Sequence, residues 1–283
     1  MRSRLIALVA AFVLALPIAA RASAGARTSR DRRVAVGAMV RIPAGDYRPL
    51  YAVPGAGRVH VAAFALDRQP VTRAEFLAFV RAHPQWQRSR VGRSFAESAY
   101  LADWPAAMNA GTGVELRRPV TGVSWFAAKA FCEARGKRLP TLDEWEYAAA
   151  ASETRRDASA DPAFRRRVLA LYAARVSATL PVAGSGPANA YGVRDLHGSA
   201  WEWTLDVNAG MPADVSHVAG RSPAAHDRRV YCASAAIDVA DPANYPAFMR
   251  FAVRAGLTAR STVTGLGFRC AAGSAAPTML LMH

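Results

Sequence analysis

Lysine is almost missing from this chain. Lys129 and Lys137 are the only two, so arginine supplies nearly all of the 36 basic residues, against 21 acidic ones, for a net charge of +15. A basic balance of this size suits nucleic acid, anionic lipid or an acidic protein partner. The arginines are scattered, however, and alanine is overused with them, as a GC-rich coding sequence produces by default. No nucleic-acid partner is expected. Cysteine is also scarce: Cys132, Cys232 and Cys270 make up the whole set. Three cysteines exclude a disulfide-dense scaffold and leave room for one disulfide with one thiol over; spacing alone does not say which pair forms. Long apolar runs are absent after residue 20, so no later segment is expected to span a membrane. There is no internal repeat and no low-complexity tract.

The N-terminus reads as an export signal over residues 1–22. Arg2 and Arg4 precede an apolar run from Leu5 to Ala20, broken only by Pro17. At about 16 residues this run is short for a bilayer crossing of roughly 20. Ala20-Arg21-Ala22 fits a small-x-small cleavage site, and Ala22-Ser23-Ala24 is an alternative cut. An uncleaved anchor is the competing reading. Cleavage removes Arg2, Arg4 and Arg21 and leaves about 260 residues, enough for a real core. Residues 23–33 are polar and small, a linker. A single domain is expected over residues 34–273, with a flexible tail over 274–283.

Several helix starts are legible. Thr72 and Glu75 form a capping box ahead of Phe76, Leu77, Phe79 and Val80, with an end near His83-Pro84. Ser124 is a good N-cap before Trp125, Ala128, Phe131 and Cys132, and Gly136 suits the residue just past the end. Thr141 and Glu144 open another helix, to about Ala150. Met39 to Gly45 reads as a strand ending in a turn, and Val59 to Leu66 as one further strand. Residues 85–115 read as a long loop anchored by Trp86, Phe95, Tyr100 and Trp104. Residues 151–180 look like an insertion with a short helix near Val168 to Val176. Short apolar runs alternate with loops after Arg229. The expected class is α+β, with few helices, short strands and loops that need side-chain packing, a metal or a disulfide to hold them.

The segment PVTGVSWFAAKAFCEARGKRLPTLDEWEYAA, at 119–149, resembles the signature of the formylglycine-generating-enzyme, or sulfatase-modifying-factor, family. MVRIPAG at 39–45, LDRQPVTRAEF at 66–76, YGVRDLHGSAWEWTLD at 191–206 and GLGFRCA at 265–271 resemble further family blocks in the same order. The resemblance spans most of residues 36–273 and implies a C-type-lectin-like fold with sparse secondary structure.

The resemblance also defines a chemistry that this chain lacks. Family enzymes hold copper(I) with two nearby cysteines, because a soft ion needs thiolates. The family's block ahead of that pair matches Arg229 to Ala235 here, which places the copper positions on Asp238 and Ala243. Copper-dependent formylglycine formation is therefore not expected. The resemblance further implies a Cys132–Cys270 disulfide; two buried reduced thiols are the alternative. Cys232 remains, either as a redox or metal-binding group or as a small apolar residue. Of the six histidines, His217 and His226 with Asp227 and Cys232 form a dense patch of potential ligands, though scattered surface histidines are the default, and neither copper nor iron is expected as a cofactor. The stretch from Asp195 to Glu202 corresponds to a family calcium loop. It would offer carbonyls near His197, Gly198 and Ala200 and the Glu202 carboxylate. Glu202 lies between two tryptophans and needs a partner when buried, either structural calcium or an arginine such as Arg269.

Residues 230–236, with one early cysteine, resemble exported members that assist siderophore maturation or accompany nitrite and nitrous-oxide reductases. On that resemblance the chain is a divergent oxidoreductase or a maturation factor, periplasmic or secreted, working on a periplasmic redox enzyme or a small-molecule precursor. Cys232, Asp238, Arg254, Arg260, Ser261 and Arg269 are its candidate site residues. The alternative is a non-catalytic binding module that recognises a protein through the loops at 85–115 and 205–228.

Overall fold

The computed structural model describes residues 38–50, 57–175, 179–207 and 243–273, which all fall within one compact unit. The expected signal, linker and tail lie outside the described residues, as do Cys232, Asp238, His217, His226, Asp227 and most of the 205–228 loop.

The N-terminal strands form one long hairpin with a break in it. Strand β1 (Met39–Ile42) pairs antiparallel with β4 (Phe64–Asp67), and β2 (Gly45–Tyr47) pairs with β3 (Val59–Val61). The register is continuous, from Met39 opposite Asp67 to Tyr47 opposite Val59. Val59 to Leu66 was expected as one strand; it is two, interrupted at Ala62-Ala63. The facing residue on the partner strand is Pro43, which has no N–H to give to the ladder.

The helices start where their caps place them. Helix α1 (Arg73–Ala82) carries the complete Thr72–Glu75 capping box and ends at His83. Helix α2 (Trp125–Glu133) is capped by Ser124. It closes with the amide of Lys137 on the Cys132 carbonyl and that of Gly136 on Glu133, the pairing that requires a left-handed residue at Gly136, whose φ is +64°. Helix α3 (Leu142–Ala149) has the second capping box, Thr141 with Glu144. Helices α1 and α2 bury Phe76, Phe79 and Phe131 against Phe268, with Phe131 and Phe268 meeting edge to face at 5.1 Å. Burial of each ring contributes roughly 2–3 kcal/mol.

Two helices depart from the expectation. In the 151–180 insertion, α4 spans Pro162–Arg175, starting earlier than Val168 because Asp161 accepts from the Ala163 amide at 2.8 Å and Pro162 suits a first helical turn. The insertion is packed rather than peripheral: Phe164, Val168 and Tyr172 are buried with Ala158. Helix α5 (Tyr245–Ala255) stands where only alternating apolar runs and loops were expected. Its Asn244 cap and early Pro246 were visible in the sequence.

The chain end is stitched into the middle. Strand β5 (Trp201–Glu202) pairs parallel with β6 (Leu266–Gly267), and β7 (Ala271–Ala272) adds to β4. Gly267 must be glycine, since a Cβ there would sit 2.3 Å from the Val120 carbonyl oxygen. Cys132 and Cys270 are disulfide-bonded with Cα atoms 5.6 Å apart, which joins α2 to β7 across 138 residues of sequence.

Candidate functional site

The Glu202 carboxylate accepts three hydrogen bonds. One oxygen accepts from Arg269 Nε and Trp145 Nε1, both at 2.7 Å, and the other from Arg269 Nη2 at 2.8 Å. Both side chains are completely buried. The rest of the guanidinium donates to the carbonyls of Asp67 and Arg194. Arg269 is therefore an internal strut holding β4, β5 and β6 together. Beside it, Asp67 accepts from Lys137 Nζ at 2.6 Å and from the Cys270 amide at 3.0 Å, pinning the disulfide.

The calcium set fits poorly here. Calcium takes six to eight oxygen ligands, and the one carboxylate of the expected set, Glu202, is paired with Arg269. A cation at Glu202 would compete with the Arg269 guanidinium for the same carboxylate. Gly198 adopts φ +76° and lies against Leu171 of α4, and Ala200 is buried in the core. His197 serves a hydrogen-bond chain. Of the two partners left open for Glu202, the arginine makes the contact.

A second polar network joins α3, α4 and α5. Glu146 accepts from Arg250 Nη2 at 2.6 Å and from Arg254 Nη1 at 2.7 Å. Burial opposes its ionisation, but the two guanidiniums outweigh it and hold the carboxyl down to about 2. Both also lie over the Trp145 ring, Arg254 at 4.6 Å and Arg250 at 5.5 Å from its centre. Arg250 Nη1 donates to the Tyr172 hydroxyl at 3.1 Å, which faces His197 Nδ1 at 3.1 Å, while His197 Nε2 faces the Ala149 carbonyl at 2.9 Å. A carbonyl only accepts, so Nε2 carries the hydrogen and Nδ1 accepts from Tyr172. Burial first, and Arg250 next, push His197 down to about 3. One carboxylate between two guanidiniums leaves a net positive charge. A small cleft above it is lined by Tyr47, Asp157, Phe164, Asn244 and Ala247 among others.

The expected site residues are dispersed. Arg254 belongs to this network. Arg260 is exposed on the turn after α5, and Ser261 is buried, accepting from the Thr258 amide at 3.1 Å. Ala243 stands just before the Asn244 cap. Glu146, Tyr172 and Arg250 were not singled out from sequence. Arg250 and Arg254 lie four apart on one helix, a signal readable only once α5 is recognised.

A model of the sulfatase-modifying factor enzyme 1-like domain family matches residues 25–273. The chain belongs to that family. It is 31% identical over 283 residues to the inactive C-alpha-formylglycine-generating enzyme 2 of Mus musculus, covering 85% of this chain and 87% of that protein. It is 28% identical over 302 residues to the formylglycine-generating enzyme of Mus musculus, covering 89% and 79%. The structure of PvdO from Pseudomonas aeruginosa aligns with a TM-score of 0.44 and 21% identity, over 82% of this chain and 93% of that one. In this sulfatase-modifying-factor chain the Cys132–Cys270 bond consumes two of three cysteines. A two-thiolate copper site does not fit the remaining thiol.

Proposed function

We propose that this chain is an exported accessory factor that does not generate formylglycine and that assists maturation of a periplasmic redox enzyme or siderophore precursor by binding its client. The cysteine count carries the reading: with Cys132 and Cys270 bonded, Cys232 has no second thiol with which to hold copper(I). The name of the 31% identical mouse relative, an inactive enzyme, supports it. The apolar N-terminal run followed by small residues supports export, as does a disulfide, which persists in oxidising compartments.

The test is to offer the purified protein copper(I) and a cysteine-containing acceptor peptide, and to measure bound metal and aldehyde by mass spectrometry. Neither stoichiometric copper nor aldehyde is expected; aldehyde formation with bound copper overturns the reading. Cys232→Ala is expected to leave client maturation intact. Loss of maturation in a variant that still folds would make the chain an oxidoreductase working through Cys232.

A further inference from the structure

Four rings form a continuous row at the surface where the 85–115 loop meets the start of α2. Trp86 contacts Phe95 at 6.0 Å, Phe95 contacts Phe126 at 5.5 Å, and Phe126 contacts Trp125 at 5.5 Å. Phe95 was expected to anchor its loop. The anchoring falls instead to Tyr100 and Trp104, both 2% exposed, while Phe95 is 48% exposed. A large aromatic side chain left half in water forfeits part of its burial energy. Yet the loop around it is well held. Arg88 donates to the carbonyls of Leu101 and Trp104, the Tyr100 hydroxyl to that of Trp86, and the Glu97 amide to that of Arg260. The ring is displayed by an ordered scaffold.

The border of the row is basic. Arg90 and Arg93 precede Phe95 in its loop, and the Glu97–Arg260 backbone bond places Arg260 beside it. All three are exposed, and none has an ion-pair partner among the described residues. Glu97 is the acidic residue among them, and Lys129 and Glu133 of α2 pair with each other.

We propose that this aromatic row with its arginine border docks an extended acidic segment of a partner protein, with an apolar side chain of that segment covering Phe95. Unpaired arginines at the rim select negative charge and speed encounter, and an exposed aromatic anchor supplies affinity. A nucleic-acid strand fits less well. Base stacking needs open, parallel ring faces, whereas these rings meet near-perpendicular, at 76°, 89° and 80°. The inference rests on the client-binding role above for the class of partner.

The probe is a fluorescein-labelled ten-residue peptide alternating glutamate with phenylalanine and proline, titrated against the full exported chain by fluorescence anisotropy. Saturable binding is expected, weakened about tenfold or more by Phe95→Ala and by the pair Arg93→Glu and Arg260→Glu. It is also expected to weaken with salt and to vanish when lysine replaces glutamate. Phe95→Ala is expected to lower the melting temperature by only a few degrees and to leave the chain folded, because the ring is half exposed. The proposal is overturned if the peptide fails to bind, if binding ignores Phe95→Ala, or if an oligothymidine of equal length binds more tightly. It is also overturned if light scattering shows a dimer that Phe95→Ala dissolves, since a second copy then covers the face. The copper and aldehyde assay reads separately: a non-binding peptide with no aldehyde sinks this surface alone, whereas aldehyde formation sinks the accessory role.

Discussion

Lowering the pH from 7 to 5 protonates histidines in the unfolded chain while His197 in the folded chain stays neutral. The folded ring is buried, its Nε2–H is spent on the Ala149 carbonyl, and its Nδ1 accepts from Tyr172, which in turn accepts from Arg250. A proton on Nδ1 would leave two donors facing each other and set a cation near Arg250. Arg269 opposes protonation as well, and Glu146 and the Ala149 carbonyl only partly offset them, so the group sits at about 3. The unfolded value is near 6.5. A base depressed in the folded state contributes stability fully above the unfolded value. That stability is lost as pH falls from about 6.5 toward 3, at about 1.4 kcal/mol per unit. Between pH 7 and 5 the loss from this one group is about 2 kcal/mol. Asp67, Asp143 and Asp206, raised chiefly by burial, act in the opposite sense at lower pH. Comparison with His197→Gln cancels them, since the glutamine amide keeps a donor for Ala149 and does not titrate. Urea unfolding at pH 7 and pH 5 is the assay. The variant is expected to lose about 2 kcal/mol less than the wild type over that interval. Parallel pH profiles would refute the buried, neutral histidine.

Further outcomes follow from the other contacts. Reducing the Cys132–Cys270 bond releases a loop of 138 residues, and the chain-entropy relation puts the loss near 5 kcal/mol, read as a lower urea midpoint in reductant. Arg269→Met strands the Glu202 carboxylate and is expected to cost about 3–5 kcal/mol, with Glu202→Gln added to it recovering part; no recovery would mean that the arginine acts by packing alone. Calcium at millimolar concentration is expected to leave the melting temperature unchanged, and an upward shift abolished by Glu202→Gln would show a site there after all.

Much of the fold was legible because its signals are local. A capping box reads off four consecutive residues, so Thr72–Glu75 and Thr141–Glu144 located two helix starts. The break in the hairpin was also local, at Pro43, but its effect falls on Ala62-Ala63 of the other strand and shows only once the register is known. Helix α5 was missed because its cap, Asn244-Tyr-Pro, follows a stretch with no clear period. The site was less legible. Glu146 meets Arg250 across 104 residues and Tyr172 meets His197 across 25. Nothing in either local sequence marks its partner.

The amino-acid sequence alone determined that any one disulfide leaves a single thiol, since that is a matter of counting three cysteines, and the structure bonds Cys132 to Cys270. It also narrowed the partner of Glu202 to a cation of one kind or another, because a carboxylate between two tryptophans must be compensated when buried. Only the tertiary structure decided that Arg269 fills that role. Likewise, it left Phe95 facing water while Tyr100 and Trp104 turned inward. Covalent inventory and short-range backbone bonding are written along the chain, whereas the pairing of charges and the exposure of a ring depend on which distant segments pack together.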